Sequence, residues 1–193
     1  MKKYVVEALG TGALTLAVGL SLASDFPVAV PLMAALTLGL FVYTVGHISG
    51  THINPAVTIG AWSIGKIDSQ TAAFYVAAQA VGAGVAMALM QNFVEMAELT
   101  VASTAVIGLA EFLGAFFFTF GIASVVYGKT PSGLSGVVVG GSLLLGIAIA
   151  AGLGSNGVLN PAVAFGIGSF GLMYIAGPIL GAVCGMQAYK QLM

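Results

Sequence analysis

Apolar runs separated by Gly, Pro and polar clusters divide the chain into eight segments. Six are long enough to cross a bilayer, near residues 4–23, 26–46, 71–90, 105–126, 134–151 and 171–189. Two are shorter, about 54–64 and 160–168, and each opens with Asn-Pro-Ala. At 1.5 Å per helical residue neither covers a hydrocarbon core of roughly 30 Å, so each is a half-span or an interfacial helix.

The order of elements repeats. Glu7-Ala8-Leu9-Gly10 matches Glu111-Phe112-Leu113-Gly114, Asn54-Pro55-Ala56-Val57 matches Asn160-Pro161-Ala162-Val163, and Gly82-Ala83 matches Gly181-Ala182. These pairs are separated by 104, 106 and 99 positions, so the halves follow one plan with small differences in loop length. Three spans per half is an odd number, and the second half therefore enters the membrane from the opposite side.

Charge agrees with this topology. Lys2, Lys3, Lys66, Lys129 and Lys190 all fall on one side of six spans, whereas Asp25, Glu95 and Glu98 fall on the other. The positive-inside rule then puts both termini in the cytoplasm. The first segment, from Met1 to Ala23, has the outline of a secretory leader, but Glu7 interrupts its apolar core and the segment has a counterpart in the second half.

Composition narrows the class further. Of 193 residues, 59% are hydrophobic and only 6% charged, which suits a chain in contact with lipid and leaves no length for a separate soluble domain. There is no arginine and no basic run, which argues against a nucleic-acid partner. Cys184 lies in the last apolar run and reads as a small buried hydrophobe. No metal-ligand cluster, phosphate loop or nucleophile paired with a base is present, so neither an enzyme nor a cofactor is expected.

Backbone groups inside hydrocarbon have to be paired, so a helix broken at membrane depth borders protein or a wet cavity. Asn is a favoured N-cap and Pro suits the first helical position, which makes Asn54-Pro55-Ala56 and Asn160-Pro161-Ala162 two helix starts. In an inverted repeat they face each other at the midplane. Two positive helix ends there disfavour cations, and two Asn amides offer donors to a passing water or hydroxyl oxygen. Glu7 and Glu111, ionisable groups within apolar spans, stand out as functional candidates.

The stretch Gly46-His47-Ile48-Ser49-Gly50-Thr51-His52-Ile53-Asn54-Pro55-Ala56-Val57-Thr58 resembles the first signature loop of the aquaporin and glycerol-facilitator family. The likeness runs along the whole chain, through Glu7, Glu111, Ala78-Gln79-x-x-Gly82-Ala83 and Gly177-Pro178-x-x-Gly181. It implies an all-α membrane fold of six transmembrane helices and two re-entrant half-helices. The chain is then a single channel domain over residues 1–193, with repeats at about 1–92 and 104–193, and is expected to form a homotetramer. It also implies that Glu7 and Glu111, with Gln79 and the imidazoles of His47 and His52, support the loops before the half-helices.

One departure is plain. The family's second motif ordinarily continues with arginine, and here that position is Val163. An ungapped count puts the other family constriction positions on Ala34, Ala148 and Gly157, where a slip in the count would bring in Leu32, Met33 or Ile147. The resemblance then implies a passive channel for water and small neutral solutes with a small, uncharged outer constriction, unless Phe41, Tyr43 or Phe165 fills the space. Competing readings are a glycerol, urea or ammonia facilitator, an ion-coupled secondary transporter, and a non-conducting structural membrane protein.

Overall fold

A computed structural model describes residues 1–23, 28–131 and 133–193; Asp25, assigned above to the acidic end, lies outside them. The described residues form eight helices: α1 (Lys2–Ala23), α2 (Val30–Ser49), α3 (Pro55–Ser63), α4 (Ser69–Phe93), α5 (Ala105–Val126), α6 (Ser135–Gly152), α7 (Pro161–Gly166) and α8 (Leu172–Gln191). Six of them have the length and apolar composition of a membrane span. The remaining two, α3 with 9 residues and α7 with 6, reach only about 14 and 9 Å. The fold is an all-α membrane bundle with two short helices.

Span boundaries moved most at α2. It begins at Val30 rather than 26, with proline in its first turn, where a missing N–H costs nothing. It ends at Ser49 rather than 46, because the left-handed residue that stops it is Gly50 (φ 85°), whose N–H caps Gly46 O at 2.8 Å. Gly46, His47 and Ile48 are therefore helical.

Helix contacts come in repeat-related pairs. α1 packs on α4 as α5 packs on α8, and α1 on α2 as α5 on α6. Each short helix crosses to the other half, α3 lying against α8 and α7 against α4. Small residues make the closest of these approaches possible. A methyl at Gly82 would overlap the carbonyl oxygen of Ala8, and one at Gly181 the carbonyl oxygen of Phe112.

Lys3 and Lys66 border one cavity at one end of the bundle. There Lys3 Nζ donates to Thr71 Oγ1 at 3.1 Å, and Lys66 Nζ sits 4.3 Å from the ring centre of Tyr127. At the same end Gln187 of α8 donates to Ser63 O at 2.7 Å, which ties the C-terminal helix to the exit of α3. Cys184 is exposed on the outer face of α8 and is not the buried residue that its apolar neighbourhood suggested. In a bundle bathed by lipid an apolar side chain gains nothing special by turning inward.

Candidate functional site

The two short helices start at buried asparagines. Asn54 Oδ1 accepts from Ala56 N at 2.8 Å, and Asn160 Oδ1 accepts from Ala162 N and Val163 N at 3.1 and 3.3 Å. Each amide nitrogen then reaches across to the opposite half: Asn54 Nδ2 donates to Leu159 O at 2.9 Å, and Asn160 Nδ2 to Ile53 O at 3.0 Å. The accepting carbonyl in each case belongs to the residue just before the other asparagine. An amide carries two hydrogens, so each Asn keeps one beyond this clasp rather than the two that a free side chain would offer.

The approach to each asparagine is irregular backbone. Thr51 (φ 51°) and Ile53 (φ 38°) in the first loop, and Gly157 (φ 64°) and Leu159 (φ 54°) in the second, all have positive φ at corresponding positions. Ile53 is β-branched, for which this conformation is unfavourable. The surrounding hydrogen bonds hold it there.

Those bonds come from the two intramembrane glutamates, both fully buried. Glu7 Oε1 accepts from Ser49 Oγ (2.7 Å) and His52 N (2.9 Å), and Glu7 Oε2 from Ile53 N (2.6 Å) and Gln79 Nε2 (2.8 Å). Glu111 Oε1 accepts from Ser155 Oγ and from Val158 N at 3.0 Å, and Glu111 Oε2 from Leu159 N at 2.7 Å. With N–H groups drawn toward the carboxylates, the carbonyl oxygens of Gly50, Thr51 and His52 and of Asn156, Gly157 and Val158 take no hydrogen bond from any described residue.

Two cavities lie along the bundle, one that reaches the asparagine pair and one at the lysine-bearing end that does not touch it. The outer one, of about 200 Å³, reaches Asn54 and Asn160 and is walled by Ala34, Ile147, Gly157 and Val163 with other aliphatic side chains. The inner one, of about 490 Å³, opens among Lys3, Lys66, Thr71 and Tyr75. His52 borders both. Its ring lies edge-on to Tyr75 with centroids 5.2 Å apart, and its Nδ1 is 3.2 Å from Thr58 Oγ1.

Two sequence-derived positions fall elsewhere. Ala148 is exposed on the far side of α6, and its neighbour Ile147 faces the outer cavity, so the ungapped count slipped by one residue. His47 occupies the last turn of α2 on an exposed face, with no partner among the described residues that would let it support a loop. Phe41, Tyr43 and Phe165 do not enter the outer cavity; the phenyl ring in its wall is Phe118. Tyr43 instead donates to Gly133 O at 2.9 Å, and Phe165 packs against Phe170.

Sequence reasoning missed a third layer of support. Tyr75 OH donates to Ser49 O at 2.8 Å, and Tyr174 OH accepts from Asn156 N at 3.3 Å. These tyrosines stand 99 positions apart, the spacing already shown by Gly82 and Gly181, and Ser49 and Ser155 share the 106-position spacing of the asparagines. Extending the repeat alignment outward from the motifs would have found all four.

Comparison with known proteins follows this geometry. The major intrinsic protein family model matches residues 1–189. Aquaporin NIP1-1 of Arabidopsis thaliana is 30% identical over 98% of this chain and 73% of its own length. A probable aquaporin AqpM of Archaeoglobus fulgidus is 33% identical over 85% of this chain and 76% of its own. The aquaglyceroporin from Plasmodium falciparum shares the fold, with a TM-score of 0.65 at 21% identity over 99% of this chain and 94% of that one. Over residues 1–189, into the last turn of α8, the chain belongs to the major intrinsic protein family.

Proposed function

We propose that the two cavities are the outer and inner halves of one passage for water and small neutral solutes, narrowed where Asn54 and Asn160 meet. The observation that supports this reading is the reciprocal clasp of the two asparagines at the end of one cavity, with His52 bordering both that cavity and the second. Proteins of this family are passive channels rather than enzymes. In this chain each Asn has one amide hydrogen left for a passing oxygen, and the six unpaired loop carbonyls offer acceptors before and after that point. A water that accepts from both amides has its own hydrogens turned outward, which interrupts a chain of proton-passing waters. The two helix starts add positive potential at the same level and disfavour cations.

The outer constriction is then formed by Ala34, Gly157 and Val163 with Ile147, and carries no fixed charge. Glu7, Glu111, Gln79 and His52 hold the loops. Among the described residues no carboxylate stands free at the midplane to couple an ion, which speaks against a secondary transporter. The chain works as one channel domain of two inverted halves in a cell membrane, as a homotetramer with its lysine-bearing end and both termini in the cytoplasm.

Stopped-flow swelling of proteoliposomes tests the conduction. Water permeability well above that of protein-free vesicles is the expected result, and a folded, reconstituted protein that adds none would exclude the channel. Cross-linking mass analysis and a reporter fused to the C-terminus test the tetramer and the orientation; a monomer, or an external reporter, contradicts them.

A further inference from the structure

We propose that the cavity at the lysine-bearing end is a binding site for a small organic monoanion with a short aliphatic chain, and that an occupied site closes the passage. The site stands on its own geometry; the closure rests on the channel reading above.

This cavity joins a charged rim to an aliphatic interior. Lys3, Lys66, Asp68, Thr71 and Tyr75 border it, while Val42, Val57, Val125, Val139 and Met186 reach it from α2, α3, α5, α6 and α8 and enclose it within the bundle. α3 runs from the cap Asn54 to Ser63, three residues before Lys66, so Val57 lies deeper than the ammonium group. At about 490 Å³ the space falls within the roughly 300–1,000 Å³ of small-molecule sites.

Neither ammonium has an acidic partner. Lys3 Nζ gives one hydrogen to Thr71 Oγ1 and keeps two, and Lys66 Nζ lies over the Tyr127 ring and keeps all three. Asp68 acts on Lys3 through space, but its two oxygens are taken by Thr71 N and Thr71 Oγ1, and it forms no ion pair with either lysine. Two ammoniums against one carboxylate leave the rim positive. The hydroxyls nearby are spent, Tyr75 OH on Ser49 O, Ser49 Oγ on Glu7 and Thr51 Oγ1 on Phe41 O. At the inner limit stands His52. Thr58 Oγ1 has its one hydrogen on Asn54 O, so Nδ1 of the neutral ring is the donor in their contact and Nε2 carries a lone pair.

These groups orient the ligand. An anionic head is drawn to Lys3 and Lys66 and repelled by the His52 lone pair, so its chain points inward along the valines. An alcohol of the same length gives the ammoniums no more than water does, a cation meets like charge, and an anion charged at both ends sets one charge against aliphatic wall without replacing its hydration. Seated between the rim and His52, which also borders the outer cavity, the ligand stands in the path of water.

The probe is butane-1-sulfonate, which stays ionised and does not cross lipid as a neutral acid. It is placed at equal concentration on both sides of zwitterionic vesicles holding the full-length protein. For a site of about 1 mM affinity, water permeability should fall at least about threefold at about 10 mM sulfonate. 1-Butanol and butyltrimethylammonium at that concentration should leave it unchanged. Lys3→Gln with Lys66→Gln should weaken the block at least about fivefold, whereas Lys129→Gln, which removes the same charge outside the cavity, should not. Water flux indifferent to the sulfonate, equal block by the alcohol or the cation, or equal weakening by Lys129→Gln would overturn the inference and leave the channel reading intact. Thermal unfolding of the purified protein reads binding without flux. Should no water pass at all, stabilisation by the sulfonate that the double lysine variant loses would uphold the site and remove the closure with the channel reading, and the lack of such stabilisation would overturn the site as well.

Discussion

Gln79 gives Glu7 one hydrogen bond that Glu111 lacks: its Nε2 lies 2.8 Å from Glu7 Oε2 and 2.9 Å from Thr58 Oγ1. The position related to Gln79 by the repeat is Pro178, which has no side-chain donor. Gln79 Oε1 is buried with no partner, so the orientation of the amide is dictated by what its nitrogen reaches. The first loop is thus held by four donors on its glutamate and the second by three.

From this asymmetry Glu7→Gln should destabilise the protein more than Glu111→Gln. In either variant one oxygen replaces two, and an amide N–H is set against backbone N–H groups that have no water to turn to, at about 1–3 kcal/mol for each donor left unpaired. Thermal unfolding in detergent measures the order. Equal losses would mean that Gln79 contributes nothing to the first anchor.

Asn54→Asp and Asn160→Asp keep the cap oxygen but remove the amide that reaches the other half. Each should cost about 1–3 kcal/mol for the orphaned carbonyl at Leu159 or Ile53, and the two losses should be similar because the bonds are reciprocal at 2.9 and 3.0 Å. Amide hydrogen exchange of α3 and α7 should rise in both variants, whichever is made. Exchange that rises only in the half bearing the substitution would argue that the clasp does not couple them.

Glycine positions separate sharply by what faces them. Gly82→Leu and Gly181→Leu place a side chain into the carbonyl of Ala8 or Phe112 and should abolish recovery of folded protein from membranes. Gly141, on the open face of α6, has nothing within 4 Å, and Gly141→Ala should be neutral or stabilising by up to about 1 kcal/mol. Size-exclusion chromatography of the three variants distinguishes these outcomes; a normal profile for Gly82→Leu would contradict the packing.

At the lysine-bearing end Asp68 caps α4, accepting from Thr71 Oγ1 at 2.6 Å and Thr71 N at 2.8 Å. The Thr71 hydroxyl, then the Thr71 amide, hold its carboxyl below the usual aspartate range, with Lys3 adding to the effect. A lowered value in the folded state means that this group stabilises the fold above the ordinary aspartate range and that the contribution fades as pH falls through its folded value. Asp68 is fully exposed, so the effect is small, and Asp68→Asn should flatten this part of the pH dependence of thermal stability. An acid limb unchanged in Asp68→Asn would assign the dependence to other groups.

Six spans and two half-spans were legible because lipid imposes length and apolarity on every crossing, and because Asn-Pro marks a helix start wherever it falls. Azimuth was not legible. A span with lipid on one side and apolar protein on the other has no polar stripe to tell inside from outside, which is why Ala148 was taken for its neighbour Ile147 and Cys184 for a buried residue. His47 failed for a local reason: the stop signal for α2 is Gly50 with its left-handed backbone, not Gly46, and three more residues of helix carry the imidazole onto the outer face. Tyr75 and Tyr174 carry no motif of their own and emerge only from the spacing of the repeat.

The clasp across the midplane is self-complementary. One half of the chain offers both an amide hydrogen and a waiting carbonyl, and needs the same two groups, turned through a half-rotation, from whatever it meets. Each half therefore satisfies the other with the same pair of groups that it leaves open itself. In one polypeptide the two halves meet this need while differing around it, as Gln79 in one and Pro178 in the other illustrate.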